Sequence, residues 1–263
     1  VADAEAALFR YLEAHGGTAF VNLDDHRLAA AGASLSRKTG YGAQPGAGRA
    51  WWAEQIGADR VGRVSFTLCS ESGVHQPVAM QFVGRHNVIN AVAASAVGAH
   101  FGLAPAHIAE GLGTLLPAKG WKRMELFEDG GIVVLNDTYN ANPDSVRLAL
   151  DTLAAIECRG RRIAVLGDML ELGDNSAIEH ESIGRYIRQL PLDACLTLGD
   201  AAQLICEQAG GRCLRHFGTM DELRGFLSEY VQPGDALLFK GSRGMKLELA
   251  ADDLIKQNQQ HSI

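Results

Sequence analysis

The chain has 263 residues, 47% apolar, 21% charged and 6% aromatic, and its 24 basic and 31 acidic residues give a formal net charge of -7. That length holds one large or two medium cores and excludes a disordered or fibrous chain, while the acidic balance argues against general affinity for nucleic-acid backbones or anionic lipid. No apolar run approaches the roughly 18 to 20 residues of a membrane span, and Val1-Ala2-Asp3-Ala4-Glu5 lacks the basic and apolar regions of a secretion signal, so a cytoplasmic location without membrane insertion is expected.

Residues 3–14 carry Ala6, Ala7, Phe9 and Leu12 at helical spacing up to a stop at Gly16-Gly17. With no initiator Met ahead of that helix, the chain reads as part of a longer one. A strand over 18–22 and a helix over 26–31 follow, with Asp24-Asp25 placed to cap the helix. Residues 34–48 read as a strand and loop, and 61–70 with 76–83 as an antiparallel hairpin across Glu71-Ser72-Gly73. Helices are predicted over 86–101 and from Pro105 to about 115.

Leu116-Pro117-Ala118-Lys119-Gly120 breaks the periodicity as a linker, so the domains are placed at 1–118 and 119–263. Beyond it, apolar strands at 132–135, 162–166, 194–198 and 236–239 alternate with amphipathic helices near 144–156, 176–189, 200–209, 219–230 and 247–257. That alternation predicts an α/β fold with a parallel sheet covered by helices on both faces. The five cysteines, Cys69, Cys158, Cys195, Cys206 and Cys213, form no C-x-x-C pair, and reduced, buried thiols are expected.

Four segments concentrate polar chemistry. In Gly84-Arg85-His86-Asn87-Val88-Ile89-Asn90, Asn87 can cap the following helix, or with Asn90 one turn on it can present two amides to a planar ligand such as adenine. Arg123 precedes the strand that ends in Asn136-Asp137-Thr138-Tyr139-Asn140-Ala141-Asn142-Pro143, and strand carboxyl ends are where open α/β sheets bind ligands. There Asp137 can accept from ribose hydroxyls and Arg123 can offer charge to a phosphate, unless the segment is only a turn. Gly167-Asp168-Met169-Leu170-Glu171-Leu172-Gly173 leaves the next strand, with His180 on the helix after it. Asp168 and Glu171 can orient an ammonium group or serve as cap and surface charge. Lys240-Gly241-Ser242-Arg243 sets two cations beside flexible backbone, suited to a carboxylate or phosphate, with solvated loop charge as the alternative. The sequence has no G-x-x-x-x-G-K-[ST], no G-x-G-x-x-G after a strand, no H-E-x-x-H and no G-x-S-x-G, which removes support from nicotinamide chemistry and zinc hydrolysis.

Taken together and in this order, the segments resemble the Mur ligase family, ATP-dependent enzymes that add amino acids to the UDP-linked peptidoglycan precursor. They are most similar to the branch that joins D-alanyl-D-alanine to UDP-N-acetylmuramoyl-tripeptide. Phe20-Val21-Asn22-Leu23-Asp24-Asp25 resembles the family's Asn-x-Asp-Asp element, and Gly84 to Asn90 its G-x-H-N-x-x-N segment. The Y-N-A-N-P and G-D-M-x-E-L-G strings, His180 and Lys240-Gly241-Ser242-Arg243 resemble that branch's own patterns.

The resemblance implies the end of a central ATP-binding domain, without its phosphate loop, over 1–118, and a Rossmann-like doubly wound C-terminal domain over 119–263. It implies ATP and Mg²⁺ as cofactors, a monomer, and a role in cytoplasmic peptidoglycan synthesis, hence in cell shape and division. Carried over residue by residue, Asn87 and Asn90 approach the adenine, Asp137 the ribose and Arg123 the phosphates, with Arg123 and His86 among the catalytic residues. Tyr139, Asn140 and Asn142 lie beside the nucleotide, and Asp168, Glu171, Lys240, Ser242 and Arg243 frame the dipeptide. Glu5 stands where the family has a carbamylated lysine, and is a substitute Mg²⁺ ligand or a solvated helix residue. A partial chain of this kind is expected to be inactive alone. A non-catalytic nucleotide- or precursor-binding module and a sister ligase for another amino acid remain the alternatives.

Overall fold

Four apolar runs beyond residue 120 become the inner strands of one sheet, while the hairpin before residue 84 belongs to another. The structure is a computed structural model that describes residues 2–118 and 120–260, with side chains from 7 to 118 and 120 to 259. The described chain divides into two compact units, one formed by residues up to Asp59 with Arg63–Leu116, the other by Arg60–Gly62 with the chain from Pro117 onward.

The first unit contains α1 (Ala2–Ala14), β1 (Ala19–Asn22), α2 (His26–Ala31), β2 (Lys38–Tyr41), β3 (Trp51–Ala58), β4 (Arg63–Ser70), β5 (His75–Val83), α3 (Asn87–His100) and α4 (Pro105–Thr114). Its sheet runs in chain order, β1 to β3 parallel and β3 to β5 antiparallel. Asp25 caps α2 as its position suggests, its Oδ1 accepting from the Arg27 and Leu28 amides at 2.8 and 3.2 Å. Strand β3 escaped the sequence reading for a physical reason. Its pairing with β4 shifts between Glu54 and Gly57, where Gln55 takes φ +50°, so a bulge interrupts the alternation that marks a strand. Helix α3 buries Val88, Ala91, Val92 and Ala96 against Trp51, Phe66, Leu68 and Val78.

The second unit contains β6 (Glu125–Asp129), β7 (Ile132–Asp137), α5 (Pro143–Ala155), β8 (Arg162–Gly167), α6 (Ser176–Ile187), β9 (Ala194–Leu198), α7 (Ala202–Ala209), β10 (Cys213–Phe217), α8 (Met220–Tyr230), β11 (Ala236–Lys240) and α9 (Glu248–Gln260). Strand order is β10-β9-β8-β11-β7-β6, parallel except for β6. The inner strands are buried along their length because both faces are covered. One face, with Val134, Ile163, Val165, Leu196 and Leu237, packs on Leu223 and Leu227 of α8, on Leu247 just ahead of α9 and on Leu254 within it. Helices α5 and α7 pack on the same sheet and bury Leu150, Leu153 and Ile205.

Both edge strands were missed. Strand β6 carries three charged residues in five and joins β7 through Gly130-Gly131, both at positive φ, a two-residue hairpin turn. Strand β10 buries only Phe217 among its five residues. The cysteine expectation also needs correction. The turn at Gly210–Arg212 brings the end of α7 to the start of β10, and Cys206 and Cys213 form a disulfide across it, with Cα atoms 5.0 Å apart. Cys69, Cys158 and Cys195 are free thiols.

The order of strands reverses across β8, β11 and β7, so their carboxyl ends open the crevice where ligands bind in such sheets. At the opposite end, Asp235 anchors the amino ends of β8 and β11. It accepts from the Arg161 amide at 2.8 Å, from the Arg161 guanidinium at 3.2 and 2.6 Å, and from the Gln232 amide at 3.0 Å. Burial pushes this carboxyl up, but the Arg161 and Gln232 hydrogen bonds outweigh it and hold Asp235 below its ordinary value. A lowered folded-state value means stabilisation that is present above the unfolded value of about 3.9 and lost as pH falls through the folded one. Asp235→Asn is therefore expected to cost about 2–3 kcal/mol at pH 7, with the gap to wild type narrowing below about pH 4. Urea unfolding at neutral and acid pH reads this directly, and a gap independent of pH contradicts it.

Candidate functional site

In the first unit, Gly84 takes φ +94° to turn the chain from β5 into α3. Helix α3 has His86 at its N-cap position without a side-chain cap bond, so Asn87 does not cap it. The Asn87 side chain turns back instead, donating from Nδ2 to the Val83 carbonyl at 2.8 Å, and Nδ2 lies 3.3 Å from His86 Nε2. Its Oδ1 accepts from Asn90 Nδ2 at 3.4 Å. The two amides predicted to act together thus touch, with Asn87 committed to the backbone and Asn90 exposed.

In the second unit, three segments from separate strand ends line a cleft of about 510 Å³ formed by Gly120, Trp121, Lys122, Arg123, Thr138, Tyr139, Arg243 and Glu248. Arg123 precedes β6, Tyr139 follows β7, and Arg243 opens a short 3-10 turn after β11. The Arg123 guanidinium carbon lies 4.2 Å from the Tyr139 ring centroid and that of Arg243 5.5 Å from it. The Tyr139 amide donates to the Lys122 carbonyl at 2.9 Å, which ties the Arg123 segment to the end of β7.

The residues behind the cleft are bound to one another. Lys240 and Asp137 are paired in register on neighbouring parallel strands. Lys240 Nζ donates to Asp137 Oδ2 at 2.6 Å and to the Asn140 carbonyl at 2.9 Å, with only 2% of the lysine side chain exposed. Asp137 Oδ1 accepts from the Met124 amide at 3.1 Å. Ser242 Oγ accepts from the Leu170 amide at 2.8 Å and donates to the Ala141 carbonyl at 3.4 Å, while its own amide donates to the Asp168 carbonyl at 3.0 Å. The β11 end therefore braces the loops after β7 and β8. Asn142 is the N-cap of α5 in a reciprocal capping box with Ser145, followed by Pro143.

Asp168 is buried, and its Oδ1 accepts from the Ala202 amide at 2.7 Å, where a carboxylate complements the start of α7. Gly199, at φ +107°, makes room for it, since a Cβ there would stand 2.6 Å from Asp168 Oδ1. Exposed Glu171 takes φ +64°. Among the described residues, four of the five non-glycine positions with positive φ, Lys122, Met124, Glu171 and Lys246, lie in or beside the candidate segments, and strain of this kind gathers at functional sites.

His180 is fully buried, and its Nε2 accepts from the Met169 amide at 2.9 Å. The proton must then sit on Nδ1, which donates to the Ser176 carbonyl at 2.7 Å. His180→Ala is expected to destabilise the fold by about 1–3 kcal/mol because it leaves the Met169 amide unpaired. Hydrogen exchange should quicken at Met169, and an unchanged Met169 rate contradicts the bond.

Residues 1–98 match the Mur ligase middle domain, and residues 122–243 match the domain described as Mur ligase, glutamate ligase domain. The chain belongs to the Mur ligase family. A curated relative from Bacillus subtilis (strain 168), named UDP-N-acetylmuramoyl-tripeptide--D-alanyl-D-alanine ligase, is 38% identical over 189 residues, 70% of this chain and 41% of its own. A relative of the same name from Mycobacterium tuberculosis (strain CDC 1551 / Oshkosh) is 30% identical over 264 residues, 92% of this chain and 51% of its own. The crystal structure of MurF from Acinetobacter baumannii superposes with a TM-score of 0.80 at 31% identity, over 91% of this chain and 52% of that one. The chain thus spans about half or less of these relatives' length.

In this Mur ligase chain the sequence reading missed Trp121, Lys122, Thr138 and Glu248 as lining of the cleft. Trp121, 65% exposed two residues before Arg123, was the available signal. Glu248 Oε2 and Asn136 Nδ2 are buried without a hydrogen-bond partner, which no motif announces. The metal reading on Glu5 lies outside the described side chains. Among the described residues no three His, Cys, Asp or Glu side chains converge to hold a metal ion. No described helix is long and apolar enough to cross a membrane.

Proposed function

We propose that this chain forms part of an ATP-dependent ligase that joins D-alanyl-D-alanine to UDP-N-acetylmuramoyl-tripeptide in cytoplasmic peptidoglycan synthesis, acting as a monomer. The observation that carries the reading is the pair of guanidiniums, Arg123 and Arg243, gathered on Tyr139 at the strand carboxyl ends. Such a site suits anionic oxygens.

In the reaction a carboxylate oxygen of the tripeptide attacks the γ-phosphorus of ATP, giving an acyl phosphate and ADP. The dipeptide amine then attacks the carbonyl carbon, the C–O bond to phosphate breaks, and phosphate leaves with the former carboxylate oxygen while the amine loses its proton. The work of the protein is mostly positioning and neutralisation of charge. Arg123 faces the phosphoryl oxygens, with His86 as the other residue assigned to the chemistry, and exposed Asn90, oriented by Asn87, meets the adenine. A carboxylate offers about four lone-pair sites, so Asp137 can accept from a ribose hydroxyl while holding Lys240 and the Met124 amide. Tyr139, Asn140 and Asn142 shape the nucleotide side. Arg243 takes the dipeptide carboxylate, and Asp168 and Glu171 lie toward its ammonium group. Lys240 and Ser242 act from behind, holding the loops that carry these groups. Mg²⁺ is expected to arrive on the ATP phosphates, but the described residues assemble no set for it and no step is assigned to it.

The test joins this chain to its upstream sequence and supplies ATP, Mg²⁺, UDP-muramoyl-tripeptide and D-alanyl-D-alanine. Mass spectrometry should find the pentapeptide product with ADP and phosphate, while the chain alone should release no phosphate. Preferred incorporation of another amino acid would assign it to a sister ligase. Binding of nucleotide without turnover would make it a non-catalytic module.

A further inference from the structure

We propose that Tyr139 is a positioning residue that holds the two arginines at a fixed spacing, one toward the phosphoryl group and one toward the dipeptide carboxylate. This rests on the ligase reading above. The three residues come from separate elements and meet in one cleft. Arg123 is presented between Lys122 and Met124, at φ +54° and +47°, and that segment is pinned by the Tyr139 amide. Two guanidiniums repel each other when brought together, and neither is engaged by a carboxylate among the described residues. The negative face of the ring is what offsets that repulsion. The phenol ring is not needed for the core, because Tyr139 is 39% exposed.

A spacer of this kind has a particular signature. Removing one arginine weakens one substrate, whereas removing the ring lets both drift and spoils the geometry in which amine and acyl phosphate meet. In the chain joined to its upstream sequence, Tyr139→Leu should lower kcat/KM about tenfold for both ATP and D-alanyl-D-alanine and lower kcat itself, with the melting temperature unchanged. Tyr139→Phe keeps the ring and should recover most of that loss for both substrates together, whatever the hydroxyl itself contributes on the nucleotide side. Arg123→Ala should act mainly on ATP and Arg243→Ala mainly on the dipeptide.

A second readout does not depend on turnover. In the chain by itself, the Hε resonances of Arg123 and Arg243 should carry ring-current shifts that survive in Tyr139→Phe and vanish in Tyr139→Leu. Loss of those shifts with no pentapeptide made by wild type would retain the spacer and reject the ligase. The spacer is overturned if the shifts are absent in wild type, if Tyr139→Leu affects one substrate only, or if Tyr139→Phe is as damaging as Tyr139→Leu.

Discussion

Arg123→Ala, introduced into the chain joined to its upstream sequence, is expected to lower the rate of amide formation about 10²–10³-fold, the usual consequence of removing one preorganised donor from developing negative charge. The loss should fall on the step that uses ATP, because the guanidinium lies at the mouth of the cleft rather than in the core. Its removal should leave urea unfolding unchanged, since exposed side chains contribute little to stability. Arg123→Lys should recover only part of the rate, as an ammonium keeps the charge but neither the planar fork nor the same stacking on Tyr139. A silent Arg123→Ala would mean that the cleft does not hold the phosphoryl group.

The second large effect concerns stability. Lys240→Met should destabilise the second unit by about 3–5 kcal/mol, because it leaves the Asp137 carboxylate without its buried partner. The Asn140 carbonyl loses its donor in the same change. Adding Asp137→Asn to Lys240→Met should recover much of that loss, since a neutral amide no longer needs a cation beside it. Urea unfolding of the two single variants and the double variant gives the coupling directly. Additive losses would contradict a buried pair, and a cost below about 1 kcal/mol would place Lys240 among solvated lysines.

These two residues also show where the sequence ceases to be legible. Asp137 and Lys240 were each singled out as polar residues at a strand end, yet 103 positions separate them, and only the β7–β11 register makes them neighbours. Arg123 and Tyr139 belong to one of the four polar segments and Arg243 to another, and the meeting of both guanidiniums on one ring is likewise a product of strand order. Local chemistry was easier to read. Asp25 caps α2 from the position its side chain favours, and the buried strands of the second unit announce themselves as apolar runs. Strands β3, β6 and β10 lack that pattern, one because of a bulge and two because edges bury little. The Gly130-Gly131 turn was the one clear sign of β6.

The proposed amide ligase would pass through an acyl phosphate held at the Arg123 cleft. UDP-muramoyl-tripeptide labelled with ¹⁸O in the reacting carboxylate, turned over with ATP and D-alanyl-D-alanine by the chain joined to its upstream sequence, tests it most directly. One labelled oxygen should appear in the released inorganic phosphate for each pentapeptide formed. Pentapeptide accompanied by unlabelled phosphate would contradict it.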